Sequence, residues 1–291
     1  MQPLFIFVGI GIFIIAGFYG LRQFVFHQAE KSLLTTKPNG RETPADLGLD
    51  YEALTIPSVE RRLEAWLVKP SPSKDARKAI LIFHGRNESI SEWVPVQYFL
   101  CTHGITSLVF DYSGFGNSSG RASVANLRQD VRAADQVFQS KIGQDYHKYV
   151  LGLSLGSGFL LEGILSFTGH YDGVILVAAY TSARDAAAQT GTLPSPFTFL
   201  LPDVYNNVRM VQQLDKPLLI IHSQDDEVFP STMAEKIYAA AHEPKQLVLL
   251  RGLKHNNTLE GKADAYLSPM LEFLGVSTKK EEGGRALKIK P

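Results

Sequence analysis

Gly152-Leu153-Ser154-Leu155-Gly156 has the spacing G-x-S-x-G and lies between a short apolar run, Tyr149–Leu151, and a helical stretch, GSGFLLEGIL. A serine in so tight a strand-to-helix turn is held in a strained backbone conformation, with its hydroxyl lifted above the sheet edge. Gly152 and Gly156 are the residue types that turn requires, because strand and helix otherwise collide. The chemistry expected of Ser154 is attack on an acyl carbonyl, with the helix N-terminus beneath it favouring the developing negative charge. The pentapeptide alone arises by chance often enough that its place between strand and helix carries the argument.

A serine hydroxyl needs a base, and the base needs an orienting carboxylate. In this setting the partners follow in the order acid, then histidine. An acid loop, His222-Ser223-Gln224-Asp225-Asp226-Glu227-Val228-Phe229-Pro230, follows the apolar run Leu218–Ile221. The loop after Leu247–Leu250 carries His255, which alone of eight histidines comes after both the acid loop and the last strand. His242 precedes that strand and reads as a surface helix end, and no motif surrounds His27, His103, His147 or His170. Spacing leaves both Asp225 and Asp226 open as the acid. The tetrahedral oxyanion needs N–H donors. The backbone N–H of Leu155, next after the nucleophile, is one candidate. The N–H of Arg86 is the other, in the loop His84-Gly85-Arg86-Asn87 after Ala79–Phe83, where Gly85 permits a close backbone approach. His84 is expected to fix that loop rather than to act as a base.

Positioning these loops together requires a scaffold. The runs Ala79–Phe83, Ser107–Phe110, Tyr149–Leu151, Val174–Val177, Leu218–Ile221 and Leu247–Leu250 are almost continuously apolar, as strands of a parallel sheet covered on both faces are. Helical stretches intervene near 91–101, 123–140, 155–166, 231–241 and 263–274. The alternation predicts a doubly wound α/β domain, with ligands at the C-terminal ends of its strands, where the three loops lie. Tyr51–Ile56 and Arg62–Val68 are expected to form an antiparallel pair across Pro57-Ser58.

The 291 residues carry 29 basic and 29 acidic side chains, 45% hydrophobic residues, 20% charged ones and a single cysteine. Zero net charge argues against a nucleic-acid groove, which needs a concentrated positive field. One cysteine excludes an internal disulfide and any multi-cysteine metal site. Asp111–Gly120, DYSGFGNSSG, offers a rival reading as a phosphate loop, but its spacing is G-x-G-x-x-x-G, and neither G-x-x-x-x-G-K-[ST] nor H-E-x-x-H occurs. A glycine-rich connection in which Asp111 ties down the loop accounts for it better.

HGRN, DYSGFGNSSG, GLSLGSG, DDEVFP and HNNT (His255–Thr258) occur in this order across residues 50–275. As a set the sequence resembles the α/β-hydrolase superfamily, and more narrowly the membrane-anchored α/β-hydrolase-domain serine hydrolases of the lipase, esterase and acyl-thioesterase branch. The resemblance implies an α/β-hydrolase fold with a mostly parallel sheet, helices on both faces and a short cap. In the family pattern the acid is the Asp directly followed by Glu-Val, which assigns Asp226. The implied activity is cleavage of acyl esters or thioesters through Ser154, Asp226 and His255 and an acyl-enzyme, with no metal or organic cofactor. One position departs from the pattern: Arg86 stands where Asn or a small residue often follows His-Gly. A backbone donor survives that change, while a long cation at the rim bears on substrate preference. A peptidase or amidase on the same triad and a non-catalytic binding protein of this fold are the alternatives. The cap falls in about 178–216, where Leu193–Pro202 is apolar, either as a wall for an acyl chain or as packing.

Leu4–Leu21, LFIFVGIGIFIIAGFYGL, is uncharged and as a helix spans about 27 Å, close to the hydrocarbon thickness of a bilayer. A cleaved signal peptide would show a basic n-region and a small-x-small site, and neither is present. The expected organisation is a membrane anchor over 1–23, a linker over 24–49, a hydrolase domain over 50–276 and a disordered polar tail over 277–291. Arg22, Lys31, Lys37 and Arg41 follow the apolar run, which by the positive-inside rule keeps the hydrolase domain in the cytoplasm. The Ala16/Gly20 pair is too common a pattern in apolar helices to define a dimer, and the oligomeric state is left open.

Overall fold

Strands without a polar face are stable only when both sides are covered, and the chain meets this with one sheet between two helical layers. In the computed structural model, which describes residues 2–255, 263–276 and 287–288, the strands are β1 (Tyr51–Ser58), β2 (Arg61–Val68), β3 (Lys78–Phe83), β4 (Ile105–Phe110), β5 (His147–Leu153), β6 (Gly173–Val177), β7 (Leu218–Ser223), β8 (Lys245–Leu250) and β9 (Leu287–Lys288). Their spatial order is β1-β2-β4-β3-β5-β6-β7-β8-β9. Pairing from β4 through β8 is parallel, and β1, β2 and β9 add antiparallel edges.

The helices are α1 (Gln2–Leu33), α2 (Val94–Thr102), α3 (Val124–Lys141), α4 (Leu155–Ile164), α5 (Ala183–Gln189), α6 (Asn207–Val211), α7 (Thr232–Ala240) and α8 (Ala263–Phe273). Period-two alternation divides the core. Leu81 and Phe83 point into one layer with Leu127 of α3, Leu160 of α4 and Ile237 of α7. Ile80 and Ile82 point into the other with Val96 and Leu100 of α2 and Leu267 of α8. Burying a side chain of this size contributes about 1.5–3 kcal/mol, so each layer is held by many such contacts.

Three local expectations change. The β1–β2 turn falls at Val59-Glu60 rather than Pro57-Ser58, since Pro57 pairs with Arg62 and Ser58 with Arg61. Pro57 is tolerated because β1 is an edge strand, and the turn takes its positive φ at Val59, 54°. Helix α1 does not stop at the apolar run but continues to Leu33, so the first part of the stretch expected as linker is helical. Of the expected polar tail, residues 277–286 and 289–291 lie outside the described residues, while Leu287–Lys288 pairs with β8.

The expected membrane span over 4–21 is not supported in the structure: among the described residues no helix is long and apolar enough to cross a membrane. The side chains of residues 4–11, which belong to that span, lie outside the described residues. From Ile12 to Leu21 the helix is exposed, and from Val25 onward it lies against the domain.

Candidate active site

The hydrophobic registers of β5 and β6 set the elbow. Ser154 donates its N–H to the Val177 carbonyl at 2.9 Å, and its backbone turns to φ 49°, ψ −117° to start α4. This conformation costs a non-glycine residue on the order of 1–3 kcal/mol and persists only where the surroundings enforce it. A Cβ on Gly152 would come within 2.8 Å of Ser157 Cα, and one on Gly156 within 2.1 Å of the Phe83 carbonyl oxygen. At both positions strand and helix approach too closely for a side chain.

The loops after β7 and β8 meet this elbow. Ser154 Oγ lies 2.9 Å from His255 Nε2, and His255 Nδ1 lies 2.7 Å from Asp226 Oδ2. An imidazole whose Nδ1–H donates to Asp226 leaves Nε2 free to accept the serine proton. Asp226, Ser154 and His255 are all buried. The Phe229 ring stands edge-on to the imidazole at 5.2 Å.

Asp226 is the carboxylate brought to His255, and its neighbour has a different position. Asp225 Oδ2 accepts the Gly252 N–H at 2.7 Å, holding the acid and histidine loops together from outside. Glu227 Oε2 accepts the His255 N–H at 3.1 Å, and Ser223 Oγ donates to the Leu253 carbonyl at 2.6 Å. On Asp226 the other oxygen, Oδ1, accepts the N–H groups of Val228 and Phe229, both at 2.8 Å. Burial pushes the Asp226 carboxyl upward, but the hydrogen bond and charge of His255 and the Phe229 N–H outweigh it and hold it below its ordinary value.

Two consequences of this arrangement are measurable. Asp226→Asn should lower kcat on the order of 10,000-fold, because the imidazole loses its tautomer and the partner that stabilises its cation, while Asp225→Asn should cost less than about tenfold. Equal losses in steady-state assays of the two variants would contradict the assignment. Because the folded-state value of Asp226 lies below the unfolded one, its stabilising contribution is complete above the ordinary carboxylate range and is lost as pH falls through the lowered value. Urea unfolding of wild type and Asp226→Asn between pH 7 and pH 3 should show a smaller acid-side loss in the variant; identical slopes would contradict it.

Sequence reasoning missed His222. This buried imidazole donates from Nε2 to the Phe229 carbonyl at 2.9 Å and lies 3.5 Å from Asp226 Oδ2. Burial lowers its basicity. It fixes the turn that presents Asp226. The only signal in the sequence was a polar residue ending an apolar strand.

Leu155 and Arg86 both line the cavity above Ser154, which measures about 190 Å³ and is also lined by His255. The Leu155 N–H opens α4 and so has no intrahelical acceptor. The loop carrying Arg86 is pinned by Glu88, whose Oε2 accepts the Gly85 N–H at 2.8 Å and the Trp93 indole N–H at 3.1 Å. His84 Nδ1 lies 2.9 Å from the Gly85 carbonyl. Asp111 accepts the Ile90 N–H at 3.0 Å and, through its main-chain carbonyl, the Ser118 hydroxyl at 2.7 Å. The Arg86 guanidinium reaches the end of α1: Nη1 donates to the Ser32 carbonyl at 3.3 Å, a last-turn carbonyl without an intrahelical partner that also accepts the Thr35 hydroxyl at 3.0 Å. Beside it the Asn87 N–H donates to the Thr35 carbonyl at 2.9 Å. Among the described residues no group of three or more His, Cys, Asp or Glu side chains is placed to hold a metal ion.

Residues 74–210 match the family described as Hydrolase_4, "Serine aminopeptidase, S33". The uncharacterized protein YfhR of Escherichia coli O157:H7 is 30% identical over 73% of this chain and 76% of its own length. The uncharacterized membrane protein YNL320W of Saccharomyces cerevisiae is 27% identical over 81% of this chain and 84% of its own. Among solved structures, the esterase Pf2001 of Pyrococcus furiosus superposes with a TM-score of 0.68 at 20% identity, covering 83% of this chain and 97% of that one.

Proposed function

The chain belongs to the α/β-hydrolase superfamily, and we propose that it is a serine hydrolase cleaving carboxylic esters or thioesters of acyl groups. The observation that carries this reading is the unbroken contact chain from the strained Ser154 through His255 to Asp226, 2.9 and 2.7 Å long. In the proposed reaction Ser154 Oγ adds to the acyl carbonyl as its proton passes to His255 Nε2. Asp226 stabilises the imidazolium, and the N–H groups of Leu155 and Arg86 receive the oxyanion. Collapse breaks the bond to the alkoxide or thiolate, which takes the proton from His255 and departs. Water, deprotonated by the same imidazole, then adds to the acyl-serine and releases the carboxylic acid.

The matched family's description favours a second reading, an aminopeptidase. Such an enzyme needs a carboxylate near Ser154 for the substrate ammonium, and Glu30 and Glu88 line the cavity. Each accepts one main-chain N–H, from Val124 at 2.7 Å and from Gly85 at 2.8 Å, which leaves a carboxylate its charge. The ester reading is preferred because most of the cavity wall is alkyl and aromatic, Phe26, Leu33, Leu153 and Leu201 among it, which suits an acyl chain better than an ammonium. Matched p-nitrophenyl ester and aminoacyl-p-nitroanilide substrates separate the two, and faster turnover of the anilide would overturn it.

Membrane anchoring through residues 4–21 belongs to the same proposal. It is supported by the uncharged run itself, by the exposed Ile12, Phe13, Ile15 and Phe18 on α1, whose apolar surface water disfavours, and by the similarity to a yeast protein described as a membrane protein. Retention of the protein in membranes after an alkaline carbonate wash is expected; release by the wash would contradict it.

A further inference from the structure

The cavity above Ser154 is not walled by the α/β domain alone. Phe26, Ala29 and Leu33 of α1, and Leu34 directly after it, line it, although α1 precedes the first strand of the domain. The helix is fixed in that place by polar contacts at both ends of its packed half. Arg22 Nε donates to the Leu200 carbonyl at 3.3 Å, Glu30 accepts the Val124 N–H at 2.7 Å, and Arg86 reaches the Ser32 carbonyl. A second cavity, lined by Tyr19, Arg22, Gln23, Phe26, Leu200 and Pro202, lies farther along the same helix. Phe26 and Pro202 line both.

Resting on the serine-hydrolase reading, we propose that these two cavities form one acyl channel, so that the substrate is a long single-chain acyl ester or thioester whose chain runs from Ser154 along α1, past Phe26, to a mouth at Tyr19 and Gln23. The direction is toward the exposed apolar part of α1. The short 3-10 turn Ser195–Leu200, which packs on α1, carries Phe197 and Phe199 there, 52% and 56% exposed. From Leu33 to Tyr19 the helix covers about 21 Å, the length scale of an extended long-chain fatty acyl group. The carbonyl end is served by the polar groups around Ser154, while the remainder of the path meets mainly alkyl and aromatic side chains, where each methylene taken from water favours binding about fourfold. Phe26, at the junction, thereby determines chain length, and α1 acts as a wall of the binding site.

The test uses the full chain in detergent micelles with p-nitrophenyl butyrate, laurate and palmitate. Phe26→Trp should narrow the junction and lower kcat/KM for palmitate at least about tenfold more than it lowers that for butyrate. Gln23→Trp, at an exposed position of the mouth, should shift the profile in the same direction without touching the core. Phe24→Ala, on a side chain that lines neither cavity, should leave the profile unchanged. Fluorophosphonate labelling of Ser154 in each variant reports an intact catalytic end. If Gln23→Trp and Phe26→Trp lower butyrate and palmitate in parallel, or change neither, the channel is overturned. If the wild type turns over no butyrate and takes no label, the serine-hydrolase reading fails and the channel with it.

Discussion

Ser154→Ala lowers kcat/KM for an activated ester by at least about ten-thousandfold, and His255→Ala does the same. The two side chains form one proton-transfer unit at 2.9 Å, so the double variant is expected to be little worse than either single one. The thermal midpoint should move by only a few degrees for Ser154→Ala. The hydroxyl contributes one hydrogen bond, and the strained turn at φ 49° is held by neighbouring main chain, including the Ser154 N–H to Val177. A variant that keeps more than a tenth of wild-type activity would contradict the nucleophile assignment, and one that unfolds would contradict the structural part of the account.

Gly156→Ala has the largest expected effect on folding. The added methyl carbon would lie 2.1 Å from the Phe83 carbonyl oxygen and 2.6 Å from that of His84. Both are main-chain atoms of the β3 end, so no flexible side chain can yield, and the helix must move off the sheet. Overpacking of that kind costs about 3 kcal/mol or more, a large share of the ~5–15 kcal/mol that holds a domain together. Gly152→Ala meets Ser157 Cα and the Gly156 carbonyl oxygen at 2.8 and 2.9 Å, a milder overlap. Urea midpoints should therefore rank wild type above Gly152→Ala above Gly156→Ala, and the reverse order of the two variants would contradict the crossing geometry.

The parts of the site that were legible in the sequence are those where chemistry and backbone share one short segment. The G-x-S-x-G turn exposes its logic because strain, helix start and nucleophile fall within five residues. His255 was identifiable by chain order. Asp225 and Asp226 were not separable by spacing, because adjacent residues in an irregular loop can exchange roles with a small backbone rotation. Their placements diverge through long-range contacts: His255 Nδ1 and the Val228 and Phe229 N–H groups meet Asp226, while the Gly252 N–H meets Asp225. The strands were legible where both faces are buried, since the inner parts of β3 and β5 and most of β6 then read as apolar runs, while the polar starts of β3 and β5, Lys78 and His147-Lys148, were not read as strand.

What the sequence did not reveal depends on long-range packing. Residues 24–33 read as the start of a linker over 24–49, a stretch of mixed composition broken further on by Pro38, Gly40 and Pro44. In the structure Arg22 and Glu30 are spent on main-chain groups of Leu200 and Val124, leaving Phe26, Ala29 and Leu33 to face the cavity. The place of Arg86 was hidden for the same reason, since its partner, the Ser32 carbonyl, lies in a helix fifty-odd residues away. His222 was passed over because its value comes only from the return of the acid loop onto its own strand end.

The measurement that tests the central claim most directly is covalent labelling of the purified full chain with a fluorophosphonate probe, followed by mapping of the modified residue, with Ser154→Ala as the control. The account predicts stoichiometric modification at Ser154 and none in the variant. A folded wild-type protein that takes no label at Ser154, or that is labelled equally in the variant, would contradict it.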